Sequence, residues 1–190
     1  MDLKKLSEIL TIVLWCLGGL LLLPMLTYAA PNPNFHIYIA YGQSNMAGNG
    51  DIVPAEDQDK YSEKFLMLAS HNANASQRSG KTNQSIKTGE WYTAIPPMFH
   101  AFENLSPADY FGRAMVDSLP GVTVGIIPVA IGAVSIRAFD KDQYESYFKG
   151  DGKDIMSWGW PKDYDNNPPG RILELAKKAK EVGVIKGIIF

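Results

Sequence analysis

The sequence predicts an α/β layer fold built on a parallel sheet, because segments of strand character alternate with segments of helical period along the chain. Val122 to Ala130 strengthens this expectation, being apolar on both faces except at Thr123, as a strand covered on both sides requires. A length of 190 residues fits a single domain with a sizeable core.

The first thirty residues stand apart from that domain. Lys4 and Lys5 precede an uncharged apolar run from Ile9 to Leu23, followed by Pro24 and the small residues around Ala29 and Ala30, the pattern of a secretory signal peptide over residues 1–30. Counted on to Leu26, the run nears the roughly 18 residues of a membrane-spanning helix, so an uncleaved anchor over residues 9–26 is the competing reading. Residues 31–190 are then the domain, secreted or periplasmic, with a membrane involved only if the leader is retained.

The elements follow in order. Phe35 to Ala40 is β-branched and aromatic and gives the first strand, and Phe65 to Ala69 a weaker one. The polar stretch from Asn72 to Gly89 has no apolar period and reads as a surface loop. Ser106 can cap a helix from Pro107 to about Leu119, with Asp109 completing an approximate capping box and Tyr110, Phe111, Ala114, Met115 and Leu119 on its apolar face. Pro120-Gly121 ends it, and the strand from Val122 to Ala130 follows. Lys141 to Gly170 is a second long loop, and a helix spans about Gly170 to Glu181, with Ile172, Leu173, Leu175, Ala176 and Ala179 inward and Gly183 as its stop. Val184 to Phe190 is a further strand. The sequence stops inside this apolar run, which predicts a sheet of three or four strands truncated at its C-terminus.

Composition excludes several classes. Eighteen Lys+Arg against 20 Asp+Glu, a formal net charge of −2, give no basic footprint for nucleic acid. The single cysteine, Cys16, lies in the leader, so neither a disulfide scaffold nor a thiolate metal cluster is available. No His/Cys/Asp group has metal-ligand spacing, and no cofactor is expected. Ala75 to Thr82 resembles a loosened P-loop, but the helix such a loop needs is missing from the polar residues after it, so no nucleotide partner is expected. Asn74, Asn83 and Asn104 fit the short glycosylation pattern and are assigned no function.

The chemistry sits directly after the first strand, in Tyr41-Gly42-Gln43-Ser44-Asn45-Met46-Ala47-Gly48. Ligands of open α/β sheets bind beyond the carboxyl ends of strands. Gly42 permits a tight exit, the Ser44 hydroxyl stands where a nucleophile would, and backbone N–H groups of the turn could face an oxyanion. The same residues also suit a plain polar turn. Met46 stands where a Gly-x-Ser-x-Gly elbow has its second glycine.

Gly42-Gln43-Ser44-Asn45-Met46-Ala47-Gly48 resembles the first sequence block of the SGNH hydrolases, in particular the carbohydrate acetylesterases of the sialate O-acetylesterase and acetylxylan esterase type, carbohydrate esterase family 6. Trp91 to Pro97, Ser106 to Arg113, Ile127 to Gly132 and Gly183 to Ile189 look like further blocks of that family in the right order. The resemblance implies a three-layer αβα sandwich, flavodoxin-like, and an acetylesterase in which Ser44 is the nucleophile and also lends its backbone N–H to the oxyanion. It matches Gly132 to a second oxyanion N–H, with Gly42, Gln43 and Asn45 supporting the motif. Ala133 stands where the family commonly has a second glycine, and Arg137 where it commonly has an acidic residue. The family's third block and its Asp-x-x-His pair are expected beyond Phe190. His36 in the first strand and His71 and His100 in loops read as solvent-facing or hydrogen-bonded residues rather than replacement bases, so the 190-residue chain itself is expected to be inactive and poorly stable.

Aromatic residues crowd the loops, with Trp91, Tyr92, Phe99 and Phe102 before the first helix and Tyr144, Tyr147, Phe148, Trp158, Trp160 and Tyr164 in the second long loop. Some of these cover the sheet edges. With the leader and the resemblance they favour an acetylated carbohydrate substrate, xylan ahead of sialic acid. The alternative from another class is a secreted carbohydrate-binding or catalytically silent relative.

Overall fold

Five strands, β1 (Phe35–Gly42), β2 (Phe65–Leu68), β3 (Trp91–Thr93), β4 (Thr123–Ala130) and β5 (Val184–Ile189), form one sheet in the order β3-β2-β4-β1-β5. The computed structural model describes residues 30–57, 62–78, 82 and 84–190. Residues 1–29 of the expected leader or anchor lie outside the described residues, as do Ser79, Gly80 and Lys81 of the P-loop-like stretch and Asn83.

β2, β4, β1 and β5 are parallel. The expectation of an all-parallel sheet of three or four strands is corrected at one edge, where β3 runs antiparallel to β2. Its three residues are too few to display a period of two. β4 is central, and its pairing with β2 ends at Ile126, two residues before Pro128, which has no N–H to give a ladder.

Successive side chains of a strand point to opposite faces, and the core divides accordingly. Ile37, Ile39, Leu68, Ile127 and Val129 enter one apolar cluster, while Ala40, Phe65, Met67, Ile126 and Ala130 enter the other. Helices cover both: α1 (Ser44–Ala47), α2 (Pro54–Asp57), α3 (Pro107–Ser118), α4 (Tyr144–Lys149), α5 (Lys153–Trp158) and α6 (Pro168–Ala179). Leu175 and Ala179 of α6, Phe148 of α4 and Ile155 of α5 pack into the first cluster, and Met46 of α1 and Ala108 of α3 into the second. The arrangement is a mostly parallel sheet between two helical layers.

The Ser106–Asp109 capping box forms as expected, with Ser106 Oγ accepting from Ala108 N (3.0 Å) and Asp109 Oδ2 accepting from Ser106 N (3.1 Å). The inward face of α3 differs from the expected one. Tyr110 is exposed, whereas Asp109 and Gly112 are buried, because the Phe65 ring lies where a Gly112 side chain would begin. In α6 the Asn167 side chain caps the first turn through Gly170 N, which starts the helix at Pro168 rather than Gly170. Leu173 is exposed and Arg171 is buried instead, paired with Asp165 and Glu174.

Both expected loops carry structure. Residues 141–170 hold α4, α5 and a 3-10 segment at Trp160–Tyr164, each too short for a helical period to register. The stretch from Asn72 to Gly89 is not simply a surface loop, since Ala73, Arg78 and Ile86 are buried. Arg78 donates to the Gln84 carbonyl, Gln84 Oε1 and the carbonyls of Ile95 and Pro97 at 2.7–3.0 Å. Burial lowers its pKa to about 10, which leaves it charged at neutral pH. Arg78→Met is expected to lower unfolding free energy by about 2–4 kcal/mol, since it strands several carbonyls away from water. Urea denaturation at pH 7 measures this, and a loss within 0.5 kcal/mol (roughly the scale of surface substitutions) would mean the loop does not depend on the guanidinium.

Candidate active site

Gly42 ends β1 with φ +154, and a Cβ there would lie 3.1 Å from Met46 Cβ, so a side chain would obstruct the turn. The chain folds directly into α1, where the Gln43 carbonyl accepts from the N–H groups of Met46 and Ala47 at 2.9 Å. Ser44 is the first residue of that helix and is partly exposed. A first-turn N–H has no acceptor within its own helix, which leaves the Ser44 amide available as a donor. Ser106 Oγ donates to Met46 O (2.8 Å) and Asn49 Nδ2 to Ser44 O (3.0 Å), fastening α1 from its far side. Gln43 and Asn45 are exposed, and Asn45 lines a shallow cleft with Leu105, Pro107 and Tyr110.

Gly132 comes to the same edge through the strand register. Gly42 pairs with Ala130, and the Ile131 N–H donates to the Gly42 carbonyl at 3.1 Å. Ser44 and Gly132 therefore each stand two residues past a paired position on adjacent strands. Trp160 covers Gly132, and a Cβ there would be 2.7 Å from Trp160 Cζ3. Ala133 has φ +60, a left-handed conformation that suits glycine, so its departure from the glycine of the resembling family is absorbed as local strain. Arg137 donates to Asp151 Oδ2 at 2.5 Å and lies 5.2 Å over the Tyr147 ring, on the surface.

The histidines fall in two places. His36 lies near the amino end of β1, roughly 25 Å of extended chain from Ser44. His71 follows β2 by three residues, and β4 separates that strand from β1, whereas His100 packs on Tyr164, whose hydroxyl bonds Ala130 at the end of β4. Among the described residues none of the three imidazoles hydrogen-bonds Ser44 Oγ. The two loop histidines are buried, His71 at 2% and His100 at 0% exposure. His100 Nδ1 meets Asp163 Oδ2 at 2.7 Å, a contact between residues 63 apart that no sequence pattern announces. Burial raises the Asp163 carboxyl, but the hydrogen bond from His100 and the two imidazoles outweigh it, so its pKa lies below the ordinary value. Tyr164 joins the group, donating to Ala130 O at 3.1 Å and lying 5.1 Å from the His100 ring.

Burial lowers the His71 pKa to about 4, against only partial opposition from Asp163. A base whose folded pKa is depressed takes its proton preferentially when unfolded, so its stability contribution is present above about pH 6.5 and is lost as pH falls toward 4. We expect the native chain to lose up to about 3 kcal/mol more than His71→Gln between pH 7 and pH 4. Equal losses in urea titrations of the two proteins would remove His71 as the cause.

Asp109 carries the opposite shift, raised to about 7 by burial. Its position inside the Ser106 cap marks it as a structural group.

A model of the family described as carbohydrate esterase, sialic acid-specific acetylesterase, matches residues 34–190. Among solved structures, a protein from Arabidopsis thaliana is similar in fold with a TM-score of 0.50 at 18% identity, over 83% of this chain and 56% of that one. A carbohydrate acetylesterase from Xanthomonas citri matches with a TM-score of 0.44 at 17% identity, over 80% of this chain and 31% of that one. The chain thus spans about half the length of the first neighbour and a third of the second.

Proposed function

Since the chain belongs to the carbohydrate esterase family of sialic acid-specific acetylesterases, we propose that it supplies the nucleophile and oxyanion elements of an exported serine esterase that removes O-acetyl groups from carbohydrate, in the manner of the SGNH hydrolases of carbohydrate esterase family 6. The observation that supports this reading is the register at the sheet's carboxyl edge, where Ser44 and Gly132 each follow the Gly42–Ala130 pair by two residues and the Ile131 N–H bonds the Gly42 carbonyl at 3.1 Å.

Ser44 Oγ attacks the acetyl carbonyl as its proton passes to a base, and the carbonyl oxygen becomes an oxyanion. The N–H groups of Ser44 and Gly132 face that charge, and fixed donors of this kind supply much of the barrier reduction in acyl transfer. Collapse expels the sugar hydroxyl and leaves an acetyl-serine, which water then cleaves to acetate. The reading gives the base role to the Asp-x-x-His pair implied by the family resemblance.

Acetate release from 4-nitrophenyl acetate and from acetylated xylan by the natural full-length protein tests the assignment. Turnover of both is the expected result. A folded protein that hydrolyses neither would overturn it.

A further inference from the structure

Trp160, which covers Gly132, also lines a cleft of about 380 Å³, within the roughly 300–1,000 Å³ range of small-ligand sites. One wall is aromatic. Trp158 and Trp160 stand with ring centroids 5.0 Å apart and planes tilted by 58°, Trp160 and Phe102 5.8 Å apart at 34°, and Phe102 stacks on His100 at 5.1 Å with 10° between the planes. Trp158 is 54% and Phe102 49% exposed. Packing of the core does not account for apolar rings left facing water in a row, and such a patch marks a recognition surface.

The opposite lining is polar and has donors to spare. Asn72 Oδ1 accepts from Thr88 N, and Gln77 Oε1 accepts from Asn74 N, so both side-chain amides spend their oxygens internally, and neither NH₂ group has a hydrogen bond among the described residues. Asp163 keeps 37% of its side chain exposed while holding His100. Both ring nitrogens of His71, which also lines the cleft, are buried without a partner. A buried polar atom left unpaired costs about 1–3 kcal/mol unless a ligand or water completes it.

Flat apolar faces beside amide donors and a carboxylate acceptor are complementary to a pyranose, whose C–H faces are apolar and whose rim carries hydroxyls. Charge narrows the choice further. Asp163 is the one charged side chain among the described lining residues, and no Lys or Arg joins it. The nearby Arg78 and Arg171 are committed to carbonyls and to Asp165 and Glu174. A carboxylate-bearing sugar would meet repulsion from Asp163, with no Lys or Arg among the described lining residues to receive it.

We infer that this cleft is a subsite for neutral pyranose rings, with Trp158 and Trp160 as the stacking platform and Asp163 disfavouring acidic sugars. It would seat a glycan next to the ester being cleaved, a placement that rests on the esterase reading of Ser44 and Gly132. Sugar affinity itself does not depend on that reading.

The experiment titrates the full-length protein with xylotetraose and with N-acetylneuraminic acid, both lacking an O-acetyl ester, and follows tryptophan fluorescence and heat. Xylotetraose is expected to bind at least about tenfold tighter than the acidic sugar. Trp158→Ala, a change at an exposed side chain, is expected to weaken xylotetraose about tenfold or more, the scale on which interface tryptophans act. Asp163→Asn should narrow the preference between the two sugars. Failure of xylotetraose to bind, binding insensitive to Trp158→Ala, or a preference for N-acetylneuraminic acid would each overturn the inference. Binding through Trp158 in a protein inert toward 4-nitrophenyl acetate would uphold the subsite and remove the esterase reading, so the two failures remain separable.

Discussion

Ser44→Ala is expected to reduce hydrolysis of 4-nitrophenyl acetate by the full-length protein about a thousandfold or more, with the loss in kcat rather than KM. The substitution deletes the attacking oxygen and keeps the backbone amide, so the oxyanion donors and the substrate surface survive while the covalent step does not. Removal of the nucleophile in serine hydrolases leaves only the residual catalysis of binding and the oxyanion hole. Ser44 Oγ accepts or donates no described hydrogen bond, so the fold has little to lose, and the variant should melt within about 0.5 kcal/mol of the parent. Steady-state kinetics and a thermal melt together decide the matter. A stable variant retaining a tenth of the parent's kcat would place the nucleophile elsewhere.

Gly132→Val is expected to lower kcat about 100- to 1,000-fold, the usual consequence of losing one oxyanion donor. The structural cause is direct. A Cβ at this position would lie 2.7 Å from Trp160 Cζ3, so either the indole moves or the backbone carrying the N–H does. A small aryl acetate reports the oxyanion effect, because it reacts without needing a seated glycan. Tryptophan emission reports displacement of the Trp160 ring. If emission shifts while kcat stays within about threefold, Gly132 serves as a packing residue under Trp160 and its amide does no catalytic work.

The β-branched and aromatic run of Phe35 to Ala40, the two-sided apolar run of β4 and the Ser106–Asp109 cap were all legible, because each is a local pattern of composition or spacing. In the Gly42–Gly48 block the strand exit at Gly42 was legible in the same way, whereas the short helix that starts at Ser44 was not. The inward faces of α3 and α6 were less legible, since residues 110 and 173 are apolar yet exposed and residues 109 and 171 are charged yet buried. A helical wheel ranks side chains by transfer energy and has no knowledge of the Phe65 ring against Gly112 or of carboxylates waiting for Arg171.

What the sequence by itself determined, then, is the class of fold, written in short-range patterns, and it singled out the Tyr41–Gly48 segment on which the proposed chemistry rests. Only the tertiary structure decided the wider arrangement: Gly132 two residues past the Ala130 that pairs with Gly42, Trp160 over Gly132, His100 on Asp163, and Arg78 inside a loop that composition assigns to the surface. The reason is physical. A buried polar group is stabilised by partners, and those of Arg78 and His100, Pro97 and Asp163, lie 19 and 63 residues away, selected by the packing of a sheet and its helices, which no window of neighbouring residues contains.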